Sequence, residues 1–509
     1  RSSCGSSGCA RVKRSSFSAN FTYNVIGALV PIVTSLGTVP FYIHQIGAGR
    51  YGVVTITWVL LGYFGFLDFG MSRASANALA RIGVSSAHDR SRVLMTAFYS
   101  NLLMGIIGGL MLYVAGALIL LHVVKIPGSL MIETRNAYPW MAAMLPLGML
   151  GGVFTGALES RERFLLSNML SAFGTMAGQL TPLACAYLIG PSLMVVIPAT
   201  LLSRFLMVAL SAAIVARQEW PIRLLDFDLV WLRKLFGYGS WVSVSGLLNP
   251  ILDTSNQLVL GAMLGAAAVA SYSIPMTLAM RSQVVATALA RTLFPLVSRS
   301  EPAEAQRTTR TAASALAYGF GIVCAPAILF SSTFLHLWMG AKFAAISTPV
   351  AQILMFGAWS NGVAFLPYGF LQAQGRPQVA AKVGLIEVVP FFLVLWFLIG
   401  VMGLSGAALA WTLRVTINCV ALFVLSGCLD RSMVRLLPAL GMMLVSLAVA
   451  RWMPMSIGAD VGASIIVGVL FAILGMLFDS TLRYNVHRLI RRTRVQKSSI
   501  HNRFHFDES

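Results

Sequence analysis

The sequence predicts an all-α polytopic membrane protein with about fourteen transmembrane helices, and three observations carry that prediction. First, of 509 residues 57% are hydrophobic and only 11% are charged, against about 45–50% and about 25% in soluble domains. So little charge cannot clothe a water-facing surface, which excludes soluble enzymes and nucleic-acid-binding domains together. Second, apolar runs of about 20 residues, the length that crosses a ~30 Å hydrocarbon core as a helix, recur between charged or turn-rich breaks. Third, the 37 Lys+Arg against 17 Asp+Glu, a net charge of +20, stand in small groups between those runs, as in a polytopic membrane protein and not as in a nucleic-acid binder.

The runs fall at residues 21–42, 52–72, 94–123, 139–158, 166–190, 193–216, 237–260, 267–294, 312–336, 348–371, 382–401, 406–427, 436–456 and 461–481. The second, seventh and eighth carry polar residues. With both termini in the cytoplasm, 28 of the 37 Lys+Arg lie on cytoplasmic segments and four within spans, while five (Arg50, Lys125, Arg135, Lys342, Arg451) lie in external loops. That asymmetry is the positive-inside pattern. The basic start Arg11–Arg14 leads into a full-length span instead of a short apolar h-region, so no cleavable signal is expected. The tail from Arg483 to Ser509 is basic and polar.

An internal repeat appears when the halves are overlaid. Ile46-Gly47-Ala48 matches Leu264-Gly265-Ala266, and Ala78-Leu79-Ala80-Arg81 matches Ala288-Leu289-Ala290-Arg291. Thr155 to Arg163 closes span 4 as Tyr368 to Arg376 closes span 10. Similar order, spacing and orientation imply two six-helix halves related by an axis along the membrane normal. The expected organisation is therefore an N-terminal bundle over 1–235 with a basic tail and an amphipathic linker, a second bundle over 236–430, and two further helices with a basic cytoplasmic tail over 431–509. The linker, Trp220 to Leu235, alternates apolar with charged residues and reads as an interfacial amphipathic helix.

Gly47-Ala48-Gly49-Arg50-Tyr51-Gly52 fits GxGxxG, but a dinucleotide fingerprint needs a βαβ unit. Here the glycines lie in a short turn between two spans, where they permit a tight reversal. No GxxxxGK[ST] is present, so no cofactor and no ATP hydrolysis are expected. Cys185, Cys324 and Cys419 sit within apolar runs, Cys4, Cys9 and Cys428 near basic flanks, and no CxxC or His/Cys cluster points to a metal.

Ile46-Gly47 with Tyr51-Gly52, then Leu67-Asp68-Phe69-Gly70-Met71-Ser72-Arg73-Ala74 and Arg81, resemble the opening of the polysaccharide transporter family. These are bacterial O-antigen and capsule flippases of the multidrug/oligosaccharidyl-lipid/polysaccharide exporter superfamily. Leu232-Arg-Lys-Leu-Phe-Gly-Tyr-Gly and Gly369-Phe-Leu-Gln-Ala-Gln-Gly-Arg376 are similar to its later landmarks, and the resemblance runs from about residue 20 to 480. It implies an undecaprenyl-diphosphate-linked oligosaccharide carried between leaflets of the bacterial inner membrane, with membrane lipid, Na+ or H+, a polysaccharide polymerase and a chain-length regulator as partners.

The residues that bear on this independently are charges within spans, each costing about 2.5–3.5 kcal/mol at a helix centre and so usually facing a cavity or a partner. Arg204 lies mid-span 6 and Arg281 mid-span 8. Arg414 is a third of the way into span 12, and Arg291 is near the end of span 8. These four are the candidate substrate-binding residues, because a guanidinium binds phosphate oxygens bidentately and stays charged. Arg291 could instead snorkel to the surface, and Arg414 could be a buried partner of Asp253 or Glu387. Those two acids are the candidate ion-coupling residues: Asp253 follows the helix-breaking Asn249-Pro250, and Glu387 precedes Pro390. Asp68 and Arg73 read as anchors at the inner surface. The surplus of positive charge argues against a multidrug and toxin extrusion antiporter, whose cationic cargo favours an acidic cavity. A lipid II flippase is the other rival within the superfamily. A membrane-embedded polymerase or ligase would be expected to carry a large external loop, and none here exceeds about 16 residues.

Overall fold

The computed structural model describes residues 8–82, 86–161, 163–223, 225–452, 457–478 and 483, and their side chains except those of 8–32, 121, 164, 238–251, 253, 295 and 432. The described residues contain no strand. They run as α1 (Gly8–Phe64), a 3-10 turn (Gly65–Asp68), α2 (Met71–Ile82), α3 (Ala87–Met111) with π-helical turns to Val123, α4 (Gly128–Ser160), α5 (Phe164–Leu188), α6 (Leu193–Gln218) and α7 (Leu229–Leu264). They continue as α8 (Ala266–Ser282), α9 (Val284–Arg299), α10 (Pro302–Met339), α11 (Ala341–Ala373), α12 (Pro377–Met402), α13 (Leu404–Leu425), α14 (Leu437–Trp452) and α15 (Ile457–Phe478). Each of the fourteen predicted runs falls mainly on helix. Among the described residues, ten helices are long and apolar enough to cross a membrane. Apart from Arg483, the predicted basic tail lies outside the described residues.

The helices bend where the sequence supplies glycine. α1 is two helical segments meeting at Gly47 (φ 80°, ψ 158°), and α7 ends at Gly265 (φ 91°, ψ 172°). Both lie in a region closed to residues with a Cβ. The two positions matched by the internal repeat thus share one backbone conformation. A Cβ on Gly52 would overlap the Ala266 carbonyl, so the chain beyond the first bend must carry glycine where it packs against the start of α8. Span 8 is interrupted at Gln283, whose side chain is buried and whose amide N–H is bonded to the Met280 carbonyl. Asp68 accepts hydrogen bonds from the Ser72 amide and hydroxyl, which caps the first turn of α2. The predicted inner-surface anchor therefore ends a span by starting the next helix.

The chain divides into two compact units, Arg1–Ala270 and Ser271–Ser509. The first is fastened at opposite ends of its helices by arginine–carboxylate pairs. Arg50 on α1 grips Glu133 on α4 through two hydrogen bonds of 2.7 and 2.9 Å. Glu133 also accepts from Ser192 Oγ and the Leu193 amide at the start of α6. At the other end Arg90 on α3, only 2% exposed, holds the buried Glu219 at the end of α6 at 2.6 and 2.7 Å. Arg161 adds two more bonds to the same carboxylate, and Arg90 also donates to the Leu79 carbonyl on α2.

Only the second half of the predicted amphipathic linker is helical. Residues 220–223 and 225–227 lie as an irregular strap along α3, because Ser91 Oγ and Thr96 Oγ1 accept the amide hydrogens of Arg223 and Asp228. Asp228 then caps α7 through the Val230 amide. In the second unit, Trp411, Tyr318, Phe320 and Phe471 are fully buried between α10, α11, α13 and α15. Gly357 and Gly321 give Trp411 and Phe471 their room.

Burial alone would raise the Glu219 carboxyl, but the hydrogen bonds and charges of Arg90 and Arg161 outweigh it and hold it below the ordinary carboxylate range. A group depressed on folding stabilises above its unfolded pKa, about 4.3 for Glu, and loses that contribution as the pH falls through the folded value. Melting of the detergent-solubilised protein should therefore show an acid limb below about pH 4.3. Glu219→Gln should flatten that limb and cost on the order of 3–5 kcal/mol at neutral pH, because it strands the buried Arg90.

Candidate functional site

Midway between the two clamped ends of the first unit lies a cavity of about 480 Å³. Four helices build it. α1 contributes Thr38 and Tyr42 from before its bend and Trp58 from after it, α4 contributes Gly148 and Gly151, α5 contributes Gln179, and α6 contributes Arg204. The volume comes from missing side chains: Gly174 and Gly178 lie one helical turn apart on α5, and Gly148 and Gly151 face them from α4. Thr38 Oγ1 is 2.6 Å from Gln179 Oε1, and the Tyr42 hydroxyl donates to the Gln179 carbonyl at 2.8 Å. The wall between α1 and α5 is thereby fixed.

Arg204 is the one charged residue of this lining, and no carboxylate faces it there. Its guanidinium carbon lies 4.4 Å from the centre of the Trp58 ring. Among the described residues it has no hydrogen-bond or ion-pair partner. The stack orients the planar guanidinium and leaves its N–H groups without acceptors. Arg50 and Arg90, in the same unit, each have a carboxylate gripped by two bonds. The arrangement offers an oriented, half-buried cation to an anionic group entering the cavity.

The other sequence-predicted residues lie in the second unit, apart from Asp253. Asp253 is on α7 and its side chain lies outside the described residues. Arg281 is exposed in the last turn of α8, and Arg291 is exposed on α9. Arg414 and Glu387 are brought together: Arg414 on α13 stacks over the Phe391 ring of α12 at 5.3 Å and lies close enough to Glu387 for their charges to interact. Asn418, one turn beyond Arg414, donates to Glu387 Oε1 at 2.7 Å. Glu387 with Phe391, and Arg414 with Asn418, are i, i+4 pairs that put all four side chains on facing stripes.

Residues 16–301, more than half of the sequence, match the family model described as "Polysaccharide biosynthesis protein". The chain belongs to that family. One relative, described as "Putative O-antigen transporter" from Shigella flexneri, is 26% identical over 79% of this chain and 96% of its own length. Among solved structures, the lipid II flippase MurJ in an inward closed conformation aligns with a TM-score of 0.69 at 12% identity, covering 92% of this chain and 99% of that one. An inward-facing multidrug resistance MATE family transporter of the MOP superfamily aligns at 0.66 and 15% identity, covering 81% and 99%. At these identities the likeness is one of fold, and with ten helices among the described residues long and apolar enough to cross a membrane the family member is a multi-pass membrane protein.

Sequence reasoning found Arg204 by its depth but missed its surroundings. Trp58, Gln179 and the glycines of α4 and α5 carry little signal in an apolar sequence, except that Trp58 and Thr57 fall in one of the runs marked as unusually polar. A Cβ on Gly148 would sit 3.7 Å from Arg204 Nη1, an ordinary contact, whereas on Gly156 it would lie 2.9 Å from the Ser72 carbonyl oxygen. Gly148→Leu should therefore fill the cavity and leave the melting temperature within a few degrees. Gly156→Ala should cost about 1–3 kcal/mol through overpacking against the α2 backbone, read as a lower melting temperature with the cavity intact.

Proposed function

We propose that the protein is a transporter, not an enzyme: a flippase that carries undecaprenyl-diphosphate-linked oligosaccharide units from the inner to the outer leaflet of the bacterial cytoplasmic membrane, for surface polysaccharide assembly. Both termini are read as cytoplasmic, from the positive-inside count, and the product would pass to a polymerase and chain-length regulator. The single observation that carries the reading is Arg204, a guanidinium deep in a predicted span, stacked on Trp58 and facing a cavity with no counter-charge. A diphosphate supplies that counter-charge and matches the guanidinium fork. Family membership and the O-antigen relative support the same cargo class. An organic-cation antiporter would favour an acidic lining, and this cavity has none. Arg281, Arg291 and Arg414 are proposed as further phosphate contacts in the second unit.

In a flippase-null strain, Arg204→Ala should abolish surface polysaccharide at least tenfold at near-normal membrane abundance, since charge-assisted hydrogen bonds are worth about 1.5–3 kcal/mol. Arg204→Lys, with charge but no fork, should retain partial export. Normal export by the Ala variant at normal abundance would overturn the reading.

Coupling to a Na+ or H+ gradient is assigned to Glu387, held by Asn418 beside Arg414, and to Asp253. In proteoliposomes with an imposed gradient, Glu387→Gln and Asp253→Asn should each lose gradient-driven transport while still binding the lipid-linked sugar. Parallel loss of binding and transport would make them structural.

A further inference from the structure

A second pocket, of about 440 Å³, opens between α2 and the first turns of α7. On α2, Ala74, Asn77, Ala78 and Arg81 follow i, i+3, i+4, i+7 spacing and form one helical stripe. On α7, Trp231 and Lys234 face it one turn apart. The two alanines leave the space, and the cations rim it. Lys234 Nζ lies 4.6 Å from the centre of the Trp231 ring, and Arg81 is exposed in the last turn of α2. No carboxylate lines this pocket. The acids of the adjoining strap are engaged elsewhere, Asp226 with His88 at 3.5 Å and Asp228 with Arg92 at 3.8 Å.

The chain leading into α7 exposes large apolar side chains: Trp220, Leu225 (94% exposed), Phe227 and, at the first residue of α7, Leu229. Water is a poor neighbour for such a row. The region where acyl chains meet headgroups suits apolar side chains, an aromatic ring and basic residues together. The pocket also sits beyond the end of predicted span 2 and ahead of predicted span 7, on the face that the basic residues mark as cytoplasmic.

We infer that this pocket binds the headgroup of an anionic phospholipid of the surrounding bilayer. Arg81 and Lys234 contact its phosphate, Asn77 hydrogen-bonds the headgroup, and the acyl chains lie against the exposed strap. The source is membrane phospholipid and not the transported cargo, whose proposed contact, Arg204, lines a different cavity. Basic pockets at the cytoplasmic ends of membrane helices recognise anionic headgroups at about fivefold in affinity per basic residue.

The test is native mass spectrometry of the purified full-length protein with added phosphatidylglycerol or phosphatidylcholine, alongside its melting temperature in each lipid. The native chain should prefer phosphatidylglycerol and melt several degrees higher in it. Arg81→Gln with Lys234→Gln should reduce that preference roughly thirtyfold. Arg81→Lys, which keeps the charge, should retain most of it, and Ala78→Leu, which keeps both charges but fills the pocket, should lose it. Arg204→Ala should bind phosphatidylglycerol as the native chain does, which separates this site from the cargo reading. Three results would overturn the inference: no preference in the native chain, an undiminished preference in the double variant, or competition by glycerol 3-phosphate at the same concentration as the lipid, which would mark a soluble-phosphate site.

Discussion

A polypeptide in hydrocarbon has to bond every N–H and C=O to itself, because no water is there to do it. That constraint makes this chain helical across its predicted spans, and it restricts where the helices can turn. The chain bends at Gly47 and Gly265, with φ of 80° and 91°, because glycine alone reverses direction there without strain. Where a break falls within a predicted span, at Gln283, the freed amide bonds the Met280 carbonyl three residues back. Every later feature is placed by these breaks: the bend at Gly47 is what lets Thr38 and Trp58, both on α1, line one cavity.

With the backbone satisfied internally, side-chain charge becomes the costly element, and the first unit handles its arginines in two ways. Arg50 and Arg90 close on Glu133 and Glu219 with two-bond geometry. Each pair joins the ends of several helices, so the charges act as fasteners. Among the described residues Arg204 has no carboxylate partner and packs on the face of Trp58. A cation–π contact of this kind is worth about 0.5–2 kcal/mol, less than the roughly 2.5–3.5 kcal/mol that a central arginine costs on insertion. The proposed anionic cargo would supply the interaction that offsets that net cost.

Much of this architecture is legible in the sequence, since span length and hydropathy are properties of contiguous residues. The glycine pair behind the repeat is legible too, because its matching neighbours fall in register. What is not legible depends on distant residues. Arg90 stands in a basic flank, and nothing near it in sequence shows that it is buried against Glu219, 129 positions away. The strap from Trp220 reads as amphipathic helix, but Ser91 and Thr96 of α3 take backbone amides that a helix would need. The depth of Arg204 is visible from its place in span 6. That it lacks a counter-ion is visible only once four helices are packed around it.

The cavity is shaped by absence. An arginine in a tightly packed bundle would have to be paired or expelled, and neither happens to Arg204. Glycines at 148, 151, 174 and 178 withdraw the side chains that would otherwise fill the space. The Thr38–Gln179–Tyr42 contacts keep α1 and α5 from collapsing into it. Glycine is a poor choice for helix stability, costing about 1 kcal/mol relative to alanine in an ordinary helix, and Gly148 could carry a Cβ without steric conflict. Packing therefore does not require glycine at that position. Open volume beside a cation that is unpaired among the described residues is what the proposed anionic cargo would use, so the helix composition and the arginine support the same proposal.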